Sequence, residues 1–366
     1  MQNKFSTIII SSYDDIKNPH YGGGGAIAVH EIAKRLSETH SVRVLSWDYC
    51  GKKQERIDGV QYERFGFPRL SPKLAMFFYQ LSLPFIAHHK KYDLWLESFC
   101  PPFTTAFLPL FTKRPVVGVV HMLAAEDMER KYKLPFHLIQ NAGLKVYRSV
   151  ITTSDGLKQK VQSIHPKGTI TVISNGIDKV LTPTKRKEKY FLFLGRIEAD
   201  QKGLDLLLES FVKFQKELRG YKLVIAGSGD ALEMEKLKKL IKILSLEDTV
   251  ILKGKVTGLT KETLLQNATA VVIPSRFETY SLVALEAMAH GAPVLCFAID
   301  GLSWIPKKAA LKVQPFSIEL LTKALITIVS DANLAESLKK EGSTYAKNFT
   351  WDRIADQYKK YIADFV

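Results

Sequence analysis

YFLFLGRIEADQKGLDLLLESFVKFQKELRGYKLVIAG, residues 190–227, decides the fold class. It opens on an apolar run that ends in Gly195. A segment with helical periodicity follows over Gly203–Leu218. A second apolar run, 222–227, closes it and again ends in glycine. Short continuous Val/Ile/Leu/Phe runs mark strands buried on both faces, which are parallel strands. Parallel neighbours need a crossover, and the periodic segment between the runs supplies one.

The same alternation extends in both directions. Upstream stand TIIIS (7–11), VRVLSW (42–47), DLWLE (93–97), VVGVVH (116–121), SVITTS (149–154) and TITVIS (169–174). Downstream stand VILKG (250–254), AVVIP (270–274) and PVLCF (293–297). Helical periodicity fills gaps such as Ala26–Leu36 and Glu233–Leu244. This is a doubly wound α/β chain. The pattern breaks once, at the polar stretch 175–190 with its Pro183. That places one domain over residues 1–180 and a second over 181–349, with an amphipathic helix at 350–366. Two such domains are expected to face each other across a central cleft, with ligands at the C-terminal ends of the strands.

Composition sets outer limits. With 46% hydrophobic and 24% charged residues, the chain can bury a large core, which excludes a disordered protein. Cys50, Cys100 and Cys296 are far apart, which excludes a thiolate zinc site and suits a reducing compartment. Phe5 to Ile10 reads as a first strand and not as a signal peptide. The net charge of +15 is spread over the chain. It suits an anionic partner, but no zinc-finger, homeodomain or RNP-type motif points to nucleic acid. The longest apolar stretch, Leu74 to Ala87, is too short to span a bilayer. Within RLSPKLAMFFYQLSLPFIAHHKK (69–91) it lies between basic ends. That composition fits peripheral contact with an anionic membrane, or else a core helix with solvated ends.

Three constellations follow strands. Tyr21-Gly22-Gly23-Gly24-Gly25-Ala26 opens a helix, where glycine amides and the helix dipole suit an anion. Gly23-x-Gly25-x-x-Ala28, with Asp48 beyond, also matches the dinucleotide fingerprint. NAD(P) binding is therefore an alternative, weakened because the glycines stand too far after Ile10 for the tight turn. Next, Gly195-Arg196 ends one strand and Lys202-Gly203 opens the following helix, two cations able to neutralise a diphosphate. Last, AVVIP leads through Glu278 into a helix carrying Glu286. At helical rise the two carboxylates would stand about 12 Å apart, with the first-turn amides of Tyr280 to Val283 between them. Carboxylates suit vicinal hydroxyls, and the amides suit a bridging diphosphate.

Glu278-x7-Glu286, Gly195-Arg196 with Lys202-Gly203, Asn175-Gly176-Ile177-Asp178 and the glycine-rich loop together resemble glycosyltransferase family 4. The resemblance implies the GT-B fold, two Rossmann-like domains and a retaining, metal-independent hexosyltransferase without a cofactor. It implies a UDP- or GDP-sugar donor on the C-terminal domain. The acceptor would be a hydroxyl of a glycan or lipid-linked precursor at the N-terminal domain. Arg196 and Lys202 would hold the diphosphate, Glu278 the donor sugar and Glu286 the ribose. Ser281, which replaces a frequent glycine, and Leu282 would offer amides. Gly195, Gly227 and Tyr280 would line the pocket, with Gly254 and Val256 near the base. Gly23 and Gly24 would close over the phosphates, and His121 would stand beside the sugar. Glu126 and Asp127 would belong to an acceptor loop over Met122–Lys133, and the final helix would return to the N-terminal domain. The absence of any Asp-x-Asp agrees with the metal-free expectation. The expected location is cytoplasmic, and peripheral membrane contact through 69–91 stands as an expectation from composition beside the core-helix reading of that stretch. A catalytically silent protein of this fold is the alternative function.

Overall fold

Two compact units divide the chain: residues 1–176 with 351–366, and residues 177–350. The computed structural model describes residues 6–13, 15–18, 23–99, 105–178 and 188–366, without the side chains of residues 127, 130 and 131. Tyr21, Gly22, Cys100, Pro183 and the Asp127 side chain thus lie outside the described residues.

The first unit is built on β1 (Thr7–Ser11), β2 (Ser41–Trp47), β3 (Gln54–Ile57), β4 (Val60–Phe65), β5 (Leu94–Ser98), β6 (Val116–Val120), β7 (Ser149–Thr152) and β8 (Thr169–Val172). Their order is β3-β4-β2-β1-β5-β6-β7-β8. Every neighbouring pair is parallel except β3–β4. Ile8 lies opposite Val42 on one side and Leu94 on the other, so the apolar run of β1 is central. The connecting helices are α1 (Gly24–Leu36), α2 (Pro72–His89), α3 (Ala125–Tyr132), α4 (Phe136–Lys145) and α5 (Asp155–Ile164). The hairpin β3–β4 is absent from the reading of apolar runs because β3 is an edge strand with polar, partly exposed residues. Its signal was Asp58-Gly59, whose φ angles of 47° and 84° make the left-handed pair of a tight hairpin turn.

The second unit carries β9 (Tyr190–Leu194), β10 (Lys222–Ala226), β11 (Val250–Gly254), β12 (Ala270–Ile273), β13 (Val294–Phe297) and β14 (Leu311–Val313), all parallel, in the order β11-β10-β9-β12-β13-β14. Its helices are α6 (Leu204–Glu217), α7 (Ala231–Ile243), α8 (Gly258–Asn267), α9 (Leu282–Ala289), α10 (Ile318–Ser330) and α11 (Ala332–Ala346). β9 is central, and its Phe191 packs edge-on against Phe214 with ring centroids 5.1 Å apart. Chain order reverses between β9 and β12, so crossovers leave in opposite directions there. A crevice at the strand ends is the result.

The last helix, α12 (Trp351–Ile362), belongs to the first unit. Trp351, Ile354, Tyr358 and Ile362 fall on one helical face and join the core of Ile8, Val44 and Leu96. Arg35 of α1 donates to Asp352 at 2.7 Å. Gly176 forms the seat of Trp351, since a Cβ there would lie 2.7 Å from the indole ring. Within the second unit, the Ile177 N–H donates to the Phe349 carbonyl at 2.8 Å.

Candidate active site

The ends of the central strands of the second unit are laced together. Gly195 N–H donates to the Ala226 carbonyl at 3.0 Å, Gly227 N–H to the Gly254 carbonyl at 2.7 Å, and Ile197 N–H to the Ser228 carbonyl at 2.9 Å. A Cβ on Gly227 would stand 1.7 Å from the Gly195 carbonyl oxygen, so a side chain there would force the strand ends apart.

Loop 196–203 rests on the loop that follows β12. Gly203 has φ +63°, and a Cβ there would meet the Pro274 carbonyl oxygen at 1.9 Å. Arg276 pins the two loops. Its guanidinium grips both oxygens of Asp205 at 2.8 and 2.6 Å and donates to the Asp200 carbonyl at 2.7 Å. Such a two-pronged pair fixes direction as well as distance. Nothing in the sequence singled out Arg276, because Asp205 is distant in the chain.

This packing brings two of the sequence-predicted residues together. Lys202 Nζ donates to Glu278 Oε1 at 2.8 Å, and Ser275 Oγ donates to the same oxygen at 2.8 Å. Both charged side chains are largely buried. Glu278 Oε2 accepts no hydrogen bond from the described residues. Gly301 lies against the Glu278 backbone, where a Cβ would come within 1.8 Å of its carbonyl oxygen. Arg196 is exposed and folds onto its own loop, with Glu198 at 2.9 Å and Gln201 at 3.4 Å. An exposed pair of this kind is held weakly, so the guanidinium can move to a better anion. Glu286 accepts from Lys261 Nζ of α8 at 2.9 Å. Lys261 was not anticipated from the sequence.

The segment between the two carboxylates differs from expectation. Helix α9 starts only at Leu282, and Ser281 is its N-cap with φ 68°. Glu278 therefore precedes the helix, and a separation reckoned from continuous helical rise does not hold. Ser281 Oγ accepts from Ala284 N–H at 3.4 Å. The left-handed backbone here is the conformation glycine adopts without strain. Tyr280 lies before the helix, and its buried ring stacks on Trp304 at 4.5 Å. Trp304 Nε1 donates to the Tyr280 carbonyl at 2.6 Å. Leu282 and Val283, in the first turn, carry N–H groups that no intrahelical bond uses. Gly254 is exposed at the end of β11, and Val256 is half-buried before α8.

In the first unit, Gly23 caps α1 and Gly24 is its first residue. The segment 125–132, expected as part of a loop, is helix α3. Its Glu126 is exposed. Asp48 is buried, and its Oδ1 accepts from the N–H groups of Cys50 at 3.1 Å and Gly51 at 2.7 Å. His121 follows β6, and both its ring nitrogens are buried with no partner among the described residues. Burial lowers its pKa from 6.5 to about 4.

A pH effect follows from His121. The unfolded chain takes up this proton near pH 6.5 and the folded chain only near 4. Stability from the neutral ring is thus fully present above the upper value and is lost as pH falls through the window. His121→Phe is expected to flatten the fall of the urea midpoint across that window. An unchanged slope would refute the assignment.

Two parallel-sheet, Rossmann-like domains with this crevice define a glycosyltransferase of the GT-B fold. The chain belongs to the family 4 glycosyltransferases: residues 22–180 match the model "Glycosyltransferase Family 4" and residues 177–345 match "Glycosyl transferases group 1". It is 29% identical to an uncharacterised glycosyltransferase of Methanocaldococcus jannaschii, over 93% of this chain and 94% of that one. Sucrose-phosphate synthase from Thermosynechococcus elongatus superposes with a TM-score of 0.82 at 21% identity, covering 98% of each chain. Anabaena HepE, solved in complex with UDP and glucose, superposes with a TM-score of 0.78 at 17% identity, covering 98% of this chain and 100% of that one.

Proposed function

We propose that this glycosyltransferase moves a hexose from a UDP- or GDP-sugar to an acceptor hydroxyl, with retention of configuration and without a metal. The Lys202–Glu278 pair at the reversal of strand order carries the reading. A sugar diphosphate placed there meets Lys202 and Arg196 with its phosphates and the open Glu278 oxygen with a sugar hydroxyl. Glu286 takes the ribose and Lys261 steadies it. Cleavage of the anomeric C–O bond leaves negative charge on the diphosphate, which the two cations and the first-turn amides of α9 stabilise. The acceptor oxygen attacks from the face the diphosphate leaves, and its proton passes to a phosphate oxygen. The presence of UDP and glucose in HepE supports the donor class. A glycan or lipid-linked precursor is the acceptor, and the reaction runs in the cytoplasm or at the membrane's cytoplasmic face.

Calorimetric titration with UDP, GDP and NAD tests this. One nucleoside diphosphate is expected to bind, and Arg196→Ala to weaken it about tenfold or more, the worth of a charge-assisted hydrogen bond. Equal affinity in the variant, or binding of NAD alone, would overturn the reading. With donor and acceptor supplied, the anomeric proton signal of the product reports retention, and chelator in the assay should leave the rate unchanged.

A further inference from the structure

Helix α2 is apolar on two faces. Its inner face, with Ala75, Met76, Tyr79, Leu83 and Ile86, packs into the core around Trp47 and Trp95. A core role accounts for that face alone. On the outer side, Leu74, Phe78, Leu81 and Phe85 are 50%, 42%, 58% and 67% exposed. Their spacing of four, three and four residues puts them in one stripe. Phe67 is 60% exposed and extends the stripe, its ring edge-on to Phe78 at 5.9 Å. Large apolar side chains gathered on one surface need a partner that removes them from water.

The charges around the stripe select that partner. Arg69 and Lys73 stand at one end and Lys91 at the other, all exposed, with the exposed rings of His88 and His89 beside Lys91. Lys90 is engaged by Glu63 at 2.7 Å. No acidic residue occurs between Gly66 and Tyr92. A second copy of this face would bring like charges against these ends, which disfavours self-association. An anionic lipid surface meets both requirements, taking the rings at its headgroup boundary and the cations at its phosphates. No helix among the described residues is long and apolar enough to cross a membrane, so contact through α2 is peripheral.

We propose that the outer face of α2, with Phe67, docks the enzyme on an anionic membrane surface. The proposal rests on the transferase reading only for its purpose, bringing the first unit to a lipid-linked acceptor. Its geometry is independent of that reading. The test is flotation of the full chain with phosphatidylcholine vesicles, with and without phosphatidylglycerol. Two variants at exposed positions accompany it: Phe78→Ser/Phe85→Ser and Arg69→Gln/Lys73→Gln/Lys91→Gln. Wild type is expected to float with the anionic vesicles at low salt, and each variant to lose about tenfold or more of its binding. Nucleoside diphosphate affinity should be the same in all three, which shows them folded. Wild type left unbound, or variants that bind equally well, would overturn docking. So would a wild-type dimer that the phenylalanine variant makes monomeric, with no vesicle binding. Docking without nucleotide binding would instead sink the transferase reading and leave this one standing.

Discussion

Lys202→Ala is expected to lower kcat by about 10²- to 10³-fold, the usual cost of removing one group that stabilises charge developing in the transition state. The ammonium stands 2.8 Å from Glu278 and is largely buried, so it works where water screens little. The same closeness makes the variant ambiguous by itself. Removing the cation leaves Glu278 held by Ser275 alone, and an unbalanced buried carboxylate costs stability. Glu278→Gln separates the two effects. It keeps the side-chain shape and an oxygen for Ser275 and Lys202, but weakens the contact with donor hydroxyls. Its thermal midpoint should fall less than that of Lys202→Ala, because the Lys202 ammonium loses its counter-charge but keeps an oxygen to donate to, while kcat falls steeply and nucleoside diphosphate affinity holds, since other groups bind the diphosphate. A Glu278→Gln enzyme with wild-type kcat would remove the central support of the proposed mechanism. A fall in nucleotide affinity equal to the fall in kcat would move Glu278 from the sugar to the nucleotide.

The doubly wound fold was legible because parallel strands buried on both faces leave uninterrupted apolar runs such as 190–194 and 222–226. Elements lacking that signature went unseen. β3 is polar because it lies at an edge, and β14 spans three residues. At the site, glycines ending strands and cations following them were visible, since both are local. The pairing of Lys202 with Glu278 depends on β9 and β12 being neighbours, which the reversal in strand order produces and residue spacing cannot. Arg276 and Lys261 escaped for the same reason, as each acts on a partner far along the chain. The flat stack of Tyr280 on Trp304, which takes its ring into the core, is another contact between residues distant in the chain.

Trp351→Ala is expected to destabilise the first unit by about 3–5 kcal/mol, the range for removing a large aromatic from a core. The indole is buried in the core that holds Ile8 and Val44, although it enters from the far end of the sequence. Its seat is Gly176, whose missing Cβ lets both ring and backbone approach. Loss of the ring leaves a cavity between α12 and the sheet that a fixed glycine backbone cannot fill. Two units with separate cores need not unfold together, so a single midpoint is the wrong observable. Trp47 and Trp95 are buried in the first unit and Trp304 packs in the second. A Trp304→Phe background therefore leaves fluorescence that reports the first unit alone. In that background Trp351→Ala should lower the unfolding midpoint markedly. Gly176→Val should do the same with Trp351 intact, because it fills the seat instead of emptying it. If Gly176→Val were tolerated without loss, α12 would not depend on this contact, and the cost of Trp351→Ala would have to come from elsewhere in the core.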